Sequence, residues 1–209
     1  MTYVHPTAIV DAGAQLGEDV TVWHFTHIRD SAILESGVSV GQNVYVDSDV
    51  HIGQGTRIQN NVSVYHGVNV GRWCFVGPSV VFTNDATPRV GNISWEVLET
   101  HLELGCAIGA GAVLRCGIRI GAFAMVGAGA IVTHSIPPFH LAVGLPARPT
   151  RLICACGQTN LPLGSDKSRL IGDCCMRMMD PRILAEAREW LAASEFDPAH
   201  LPAATPVEA

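Results

Sequence analysis

The chain has 209 residues, enough for one domain of ordinary size with a small appendage. Charged residues make up 15%, Gly stands at 21 residues, and the formal charge is −6, which argues against the basic footprint of a nucleic-acid binder. Mean hydropathy is +0.26, yet no run approaches the ~20 apolar residues of a spanning helix. The opening Met1-Thr2-Tyr3-Val4-His5-Pro6 has neither basic nor apolar signal regions, and seven cysteines without an export signal read as reduced thiols, so a cytoplasmic location is expected.

From Val4 every sixth residue is apolar: Val4, Val10, Leu16, Val22, Ile28, Leu34, Val40, Val46, Ile52, Ile58, Val64, Val70, Val76 and Phe82. At about half apolar composition, fourteen such matches arise by chance roughly once in ten thousand. Four positions after each stands a small or β-branched residue, from Ala8 through Thr26, Val44 and Cys74 to Ala86. A six-residue period fits no helix; it marks short strands stacked as a solenoid. The aliphatic residue points inward, the small one fits the corner, and glycines such as Gly17, Gly41, Gly53, Gly71 and Gly77 are expected to supply the tight turn.

The period breaks after Phe82 and resumes in a new phase at Leu102, Ile108, Leu114, Ile120, Val126 and Val132. The extra residues predict one extruded loop over 83–101. Twenty hexads at three per turn give six to seven coils, a column roughly 30 Å tall. After Pro149 the pattern ends, so the reading divides the chain into a β-helix over 1–149 and a segment over 150–209. Residues 150–180 are irregular; a helix is expected over about 181–194, with Asp180 as N-cap and Pro181 at its first turn, and the final dozen residues as a disordered tail.

Three places stand out for chemistry. At the loop root, Gly77-Pro78-Ser79-Val80-Val81-Phe82-Thr83-Asn84-Asp85 leads to Pro88-Arg89; Asn84 and Asp85 serve either a site or simply a chain turn. The amide-rich runs Gly41-Gln42-Asn43-Val44-Tyr45 and Gln59-Asn60-Asn61 through Tyr65-His66 form either a ladder between coils or hydrogen bonds to a polar ligand. Near the column's end, Thr133-His134-Ser135 and Pro146-Ala147-Arg148, with Arg115, Arg119 and Arg151, either gather cations for phosphates or are solvated surface groups.

Trp23-His24-Phe25-Thr26-His27-Ile28, Gln59-Asn60-Asn61-Val62-Ser63-Val64-Tyr65, Gly77-Pro78-Ser79-Val80-Val81-Phe82-Thr83-Asn84, Val126-Gly127-Ala128-Gly129-Ala130-Ile131-Val132-Thr133 and Val143-Gly144-Leu145-Pro146-Ala147-Arg148 closely resemble one branch of the hexapeptide-repeat acetyltransferases. That branch acetylates the 3-amino group of nucleotide-linked amino sugars for O-antigen-type surface glycans. The resemblance covers about residues 4–151. It implies an all-β, left-handed parallel β-helix, a homotrimer with sites between adjacent subunits, acetyl-CoA as co-substrate, a nucleotide-sugar acceptor, and no membrane insertion.

Carried onto these positions, it makes Asn84 the catalytic residue, hydrogen-bonded to the sugar amine, with the departing CoA thiolate taking the proton. His24, Gln42, Arg57, Asn60, Tyr65, Phe82, Asp85 and Arg89 become the acceptor-binding set. Gly127, Ala128, Gly129, His134, Ala147 and Arg148 become the cofactor-binding set. His134-Ser135 departs from the Lys-Asp common after Val-Thr in the family, which puts that cofactor contact in doubt. Four histidines, His24, His27, His66 and His101, are alternative bases. No metal is expected: some relatives carry a zinc-ribbon-like C-terminal tail, and Cys154-Ala155-Cys156-Gly157 resembles its first half, but Cys174-Cys175 lacks the Cys-x-x-Cys spacing of a second half, so the segment reads as a degenerate remnant. A reading of a different class is a noncatalytic or carbonic-anhydrase-like β-helix; a zinc enzyme of that type would need three His ligands converging across a subunit boundary.

Overall fold

The computed structural model describes residues 1–198. The tail expected beyond the helix lies, after Pro198, outside the described residues.

Strands of two or three residues stack in parallel into three sheets. The first face begins with Tyr3–Val4 and Thr21–Val22 and ends with Met125–Val126 and His140–Gly144. A second face runs from Ile9–Val10 to Ile131–Val132, and a third from Gln15–Leu16 to Arg119–Ile120. Thr21 pairs with Ser39 and Ser39 with Arg57, so register advances by three hexads per coil. This is the left-handed parallel β-helix of hexapeptide-repeat proteins.

Each hexad aliphatic points into the prism. Val22, Val40, Ile58, Leu114 and Ile120 are buried, and so are the corner residues Val20, Thr26, Ala32, Val44 and Ala112. Burying one such aliphatic stabilises the column by ~1.5–3 kcal/mol, and coils supply that burial to one another. The column is longer than twenty hexads alone suggest. Ile136 bridges Ile120 to complete a seventh coil, and His140–Gly144 pairs with Met125–Val126 to begin an eighth.

The glycines have a different role from the one expected. Those directly after the aliphatic do not make the turn. A Cβ on Gly53 would stand 2.6 Å from the backbone nitrogen of Arg72, so glycine there permits the coil spacing. The left-handed residue comes two positions later and is often not glycine, as at Asn43, Asn61, Trp73 and Ser79.

The extruded loop also differs. Ala86, assigned to the corner series, is exposed, because the stack stops at Phe82. Pairing returns at Thr100, with Val68 opposite Thr100 and Asn69 opposite His101, so the loop proper ends at Glu99. Val97 seats on Gly67 and Leu98 on Gly117, which packs the returning limb against its own column. Val90, Ile93 and Trp95 remain exposed.

Residues 150–180, read as irregular, are mostly ordered into short elements. Ala147–Ile153 turns back antiparallel on His140–Gly144, and Asn160–Leu161 pairs with it in turn. Helix α1 (Asp173–Met178) and helix α2 (Pro181–Ala193) follow. The Asp180 carboxylate caps α2 by accepting from the Arg182 N–H at 2.9 Å. Helix α2 lies along the edge between third and first faces. There Trp73 Nε1 donates to Glu186 at 2.8 Å, Arg72 pairs with Glu186 at 3.0 Å, and Arg182 sits 5.3 Å over the Trp73 ring. Ala187, Trp190 and Leu191 cluster with Phe123, Phe139 and Leu104 of the coils.

Candidate active site

With one edge covered by α2, two edges remain, and both border the second face. The edge between first and second faces carries one corner per coil: Trp23–Thr26, Gly41–Val44, Gln59–Val62, Gly77–Val80, Gly109–Ala112 and Gly127–Ala130. Its lower half is aromatic and amide-rich. His24 stacks on His5 with centroids 3.5 Å apart and lies parallel to Trp23. Burial, with the neighbouring His24, moves the His5 pKa below the usual imidazole value. Trp23, His24, Ser39, Gln42, Gln59 and Asn60 line a groove of about 260 Å³.

The amides here are partly a ladder: Asn60 Oδ1 accepts from Gln42 N–H at 2.9 Å, and Asn43 Nδ2 donates to Asn61 Oδ1 at 3.1 Å. Among the described residues the Gln42 carboxamide makes no hydrogen bond, so it stays available to a ligand. Higher up, the exposed corner residues are Pro78, Ser79, Ala110, Gly111, Ala128 and Gly129, none larger than proline, and space around Gly111 and Gly129 is open. A Cβ on Gly127 would meet Val143 of the terminal hairpin at 2.8 Å. Arg148 pairs with Val143 and Ala147 with Gly144. Gly127 thus meets the hairpin that carries Ala147 and Arg148, with Ala128 and Gly129 following it on the same corner. The Ala147 methyl is itself buried, which leaves only its backbone to contact a ligand.

The other edge, between second and third faces, carries charge and the loop. Arg29 lies between Asp11 at 3.6 Å and Asp47 at 3.5 Å and donates to Tyr45 Oη at 3.0 Å, while His27 reaches Asp11 at 3.0 Å. Burial alone would raise the Asp47 pKa, but hydrogen bonds from Ser48, Tyr45 and His66, with Arg29 nearby, bring it below the ordinary value. Tyr65 stands above, half-exposed, 6.1 Å from the Tyr45 ring.

At the loop root Thr83 Oγ1 accepts from Cys116 N–H at 2.9 Å, which fixes the chain just before Asn84. The Asn84 carboxamide has no hydrogen-bond partner among the described residues. Asp85 accepts from Thr87 N–H at 2.8 Å and so turns the chain. Arg89 is exposed and donates to the Pro88 carbonyl.

His66 has a relation to Asn84 that the reading of four histidines overlooked, although the period contains it. The two are three hexads apart, and the Ser63–Val81 register sets His66 one coil below. His66 Nδ1 lies 3.1 Å from the Ser48 carbonyl oxygen, which only accepts. The neutral ring therefore carries its proton on Nδ1 and its lone pair on Nε2. His27 and His101 are engaged elsewhere, with Asp11 at 3.0 Å and with Glu99 at 3.1 Å, while His24 stands on the other edge, stacked on His5.

Several expected members do not join these groups. Phe82 is an inward core residue, 2% exposed, so its ring faces no ligand. Arg57 lies on the first face beside the cavity that Trp73 and Arg182 line. His134 belongs to the second edge, hydrogen-bonded to Thr133 at 2.9 Å, away from the glycine corners. The cation cluster does not form. Arg119 pairs with Glu103 at 3.0 Å on the third face, Arg115 lies on the second edge, and Arg151 is on the strand opposite Leu141. Sequence proximity gave no information about which face each occupies. Among the described residues no three histidines of one chain converge as metal ligands; the group that does converge is Cys154, Cys156, Cys174 and Cys175.

Repeat, stacking register and corner geometry make the fold of this chain a left-handed parallel β-helix. The family profile "Bacterial transferase hexapeptide (six repeats)" matches residues 49–84. The dTDP-3-amino-3,6-dideoxy-alpha-D-galactopyranose 3-N-acetyltransferase of Aneurinibacillus thermoaerophilus is 47% identical over 57 residues, 27% of this chain and 30% of that protein. Among solved structures, a maltose O-acetyltransferase from Clostridium difficile 630 superposes with TM-score 0.51 at 25% identity, over 56% of this chain and 66% of that one. A hexapeptide-repeat acetyltransferase from Vibrio cholerae O1 biovar eltor, complexed with acetyl coenzyme A, gives 0.50 at 25% identity, over 56% and 70%. The chain spans less than half the length of the curated relatives it matches.

Proposed function

We propose that this chain is an acetyl-CoA-dependent N-acetyltransferase acting on the 3-amino group of a nucleotide-linked amino sugar. It would serve surface-polysaccharide synthesis of the O-antigen type and work in the cytoplasm as a homotrimer. The observation that carries this reading is the unpartnered Asn84 carboxamide, held beside the anchored Thr83 at the mouth of the loop. The relative named for a 3-N-acetyltransferase and the neighbour solved with acetyl coenzyme A support the same chemistry.

In this reaction the neutral amine attacks the thioester carbonyl. The C–N bond forms, the C–S bond breaks, and the CoA thiolate leaves and takes the amine proton. Asn84 accepts a hydrogen bond from the amine and turns its lone pair toward the thioester. Such positioning can supply ~7–11 kcal/mol of a barrier. CoA lies along the open glycine and alanine corners toward Gly127–Gly129 and Arg148.

The groove residues and Asn84 occupy different edges of one prism. Six extended residues, from Asn60 to His66, span at most about 20 Å. A neighbouring copy that brings its groove edge against this loop edge joins the two halves, and repeating that heterologous contact around a threefold axis closes it. Exposed Val81 and Ile131 on the second face suit such an interface.

A second reading rests on His66, whose Nε2 is free to take the proton one coil below Asn84. Acetyl transfer to UDP-2-acetamido-3-amino-2,3-dideoxyglucuronate and to a dTDP-3-amino-3,6-dideoxyhexose, followed by mass spectrometry, tests both. Asn84→Ala is expected to lower kcat/KM roughly ten- to a hundredfold, one aligning hydrogen bond. If His66 is the base, His66→Ala loses ~10²–10⁴-fold and erases the acidic limb of the pH profile. Full activity in Asn84→Ala defeats the first reading, and acetylation of neither sugar defeats the substrate class.

A further inference from the structure

The C-terminal segment brings four thiols to one point, and the proposed acetyl transfer uses none of them. Cys154 and Cys156 come from the turn after strand Ala147–Ile153; Cys174 and Cys175 come from the first turn of α1. Their sulfurs all lie within 4.8 Å of one another. Cys154 Sγ is 3.5 Å from Cys156 Sγ and 3.7 Å from Cys174 Sγ, and Cys174 Sγ is 3.9 Å from Cys175 Sγ.

Those separations decide the chemistry. A disulfide needs sulfurs about 2.05 Å apart, far closer than these. Four thiolates at ~2.3 Å around a tetrahedral ion stand about 3.8 Å from one another, which matches the three short separations of 3.5, 3.7 and 3.9 Å and lies within the 4.8 Å that bounds all four sulfurs. Iron–sulfur clusters hang their thiolates on different irons and spread them farther.

The surroundings suit a structural ion. Cys154 and Cys175 are buried, and Cys156 and Cys174 are partly so. The Thr159 N–H donates to Cys154 Sγ at 3.1 Å, a bond that orients a metal-ligating thiolate. Gly157, at φ +77°, turns the chain so that its N–H donates to the Cys154 carbonyl at 2.8 Å. Four protein ligands leave no open position for substrate, which marks a structural and not a catalytic site.

We propose that Cys154, Cys156, Cys174 and Cys175 bind one zinc ion as a tetrathiolate. Binding involves no redox step: the thiols release their protons to solvent as the zinc–sulfur bonds form. Adjacent cysteines serve because they meet the other pair through tertiary docking. The ion joins the hairpin turn to α1, and through Leu184 and Met179, packed on the same thiols, to α2. It thereby holds the segment that covers the Trp73 edge.

The full chain, purified without chelator after growth with zinc, is expected to carry one zinc per chain by plasma mass spectrometry. Replacement with cobalt(II) is expected to give the intense sulfur-to-cobalt charge transfer and visible bands of a tetrahedral tetrathiolate. Cys154→Ser and Cys174→Ser should hold less than about a tenth of an equivalent, while Cys116→Ser, outside the cluster, keeps the full one. Removing the ion should speed tryptic cleavage between Cys156 and Arg188 while the coil region stays protected. Should the serine variants fail to fold, the metal content and cobalt spectrum of the unaltered chain still decide. Absence of zinc there, iron in its place, a mass-detected disulfide among the four, or full zinc in Cys174→Ser would overturn the proposal.

Discussion

Replacing Gly53 and Gly111 with alanine separates two reasons for a glycine in this column. A Cβ on Gly53 would stand 2.6 Å from both the Arg72 nitrogen and the Gly71 carbonyl carbon, and 2.9 Å from the Gly71 oxygen. Ordinary contacts lie at ~3.5–4.0 Å, so the coils would have to part by about 1 Å. That movement stretches the Gly53 N–H bond to the Val70 carbonyl, now 2.8 Å, beyond useful range. Overpacking of ~1–3 kcal/mol and one or two weakened backbone bonds put the cost at about 2–4 kcal/mol. Gly111, with φ +66° and nothing within 4 Å, meets only the left-handed penalty. That penalty is ~1–2 kcal/mol, reduced by the ~0.4–1 kcal/mol an alanine gains by restricting the unfolded chain. At ~2–4 °C per kcal/mol, Gly53→Ala should lower Tm by about 4–16 °C and Gly111→Ala by at most about 6 °C. Circular-dichroism melts at one protein concentration measure both. Equal losses, or a larger one at Gly111, would show that coil spacing is not set by the Gly53 contact.

Other outcomes follow from burial, charge and assembly. Leu114→Ala opens a cavity in the fully buried core and should cost ~2–5 kcal/mol in urea unfolding, with the m-value unchanged. Arg182 holds the Asp180 carboxyl down at about 2, below its ordinary 3.8. A depressed folded pKa stabilises above the unfolded value, so this contribution is complete near neutrality and fades as pH falls from about 4 toward 2. Asp180→Asn should remove that acid dependence of α2, read by Trp190 fluorescence; an unchanged acid profile would discount the cap. Val81→Asp places a charge on the proposed interface and should turn a trimer into monomers by light scattering, whereas a monomeric unaltered chain would defeat the assembly.

The column was legible because its physics is one-dimensional. One period fixes which side chain is buried, and residues three hexads apart must stack, as Ser39 stacks on Arg57. The cap of α2 was equally local, an Asp before a Pro. Legibility ended where contact depends on a corner's exact path or on elements far apart in sequence. Glycine's turn preference is a property of the single residue, so Gly53 was read as a turn, while its real constraint comes from Arg72 one coil away. Phe82 carried a family motif, yet its place in the hexad made it core. Arg115, Arg119 and Arg151 lie in different parts of the prism, which the sequence order does not reveal. The two pairs of thiols meet across the seventeen residues between Cys156 and Cys174, which carry no repeat, so a spacing rule for knuckles is blind to them.

The loop leaves the stack after Phe82 and rejoins it at Thr100 without disturbing the coil beneath or above: Val70 pairs with Leu102, and Leu102 with Ile120. Its two ends are therefore anchored by the scaffold, whatever lies between them. Doubling such a loop costs only ~0.6 kcal/mol of closure entropy. The insertion point works as a socket. Segments of other lengths and compositions can be spliced there while the column keeps its register, so the loop can change without a new fold having to be stabilised each time.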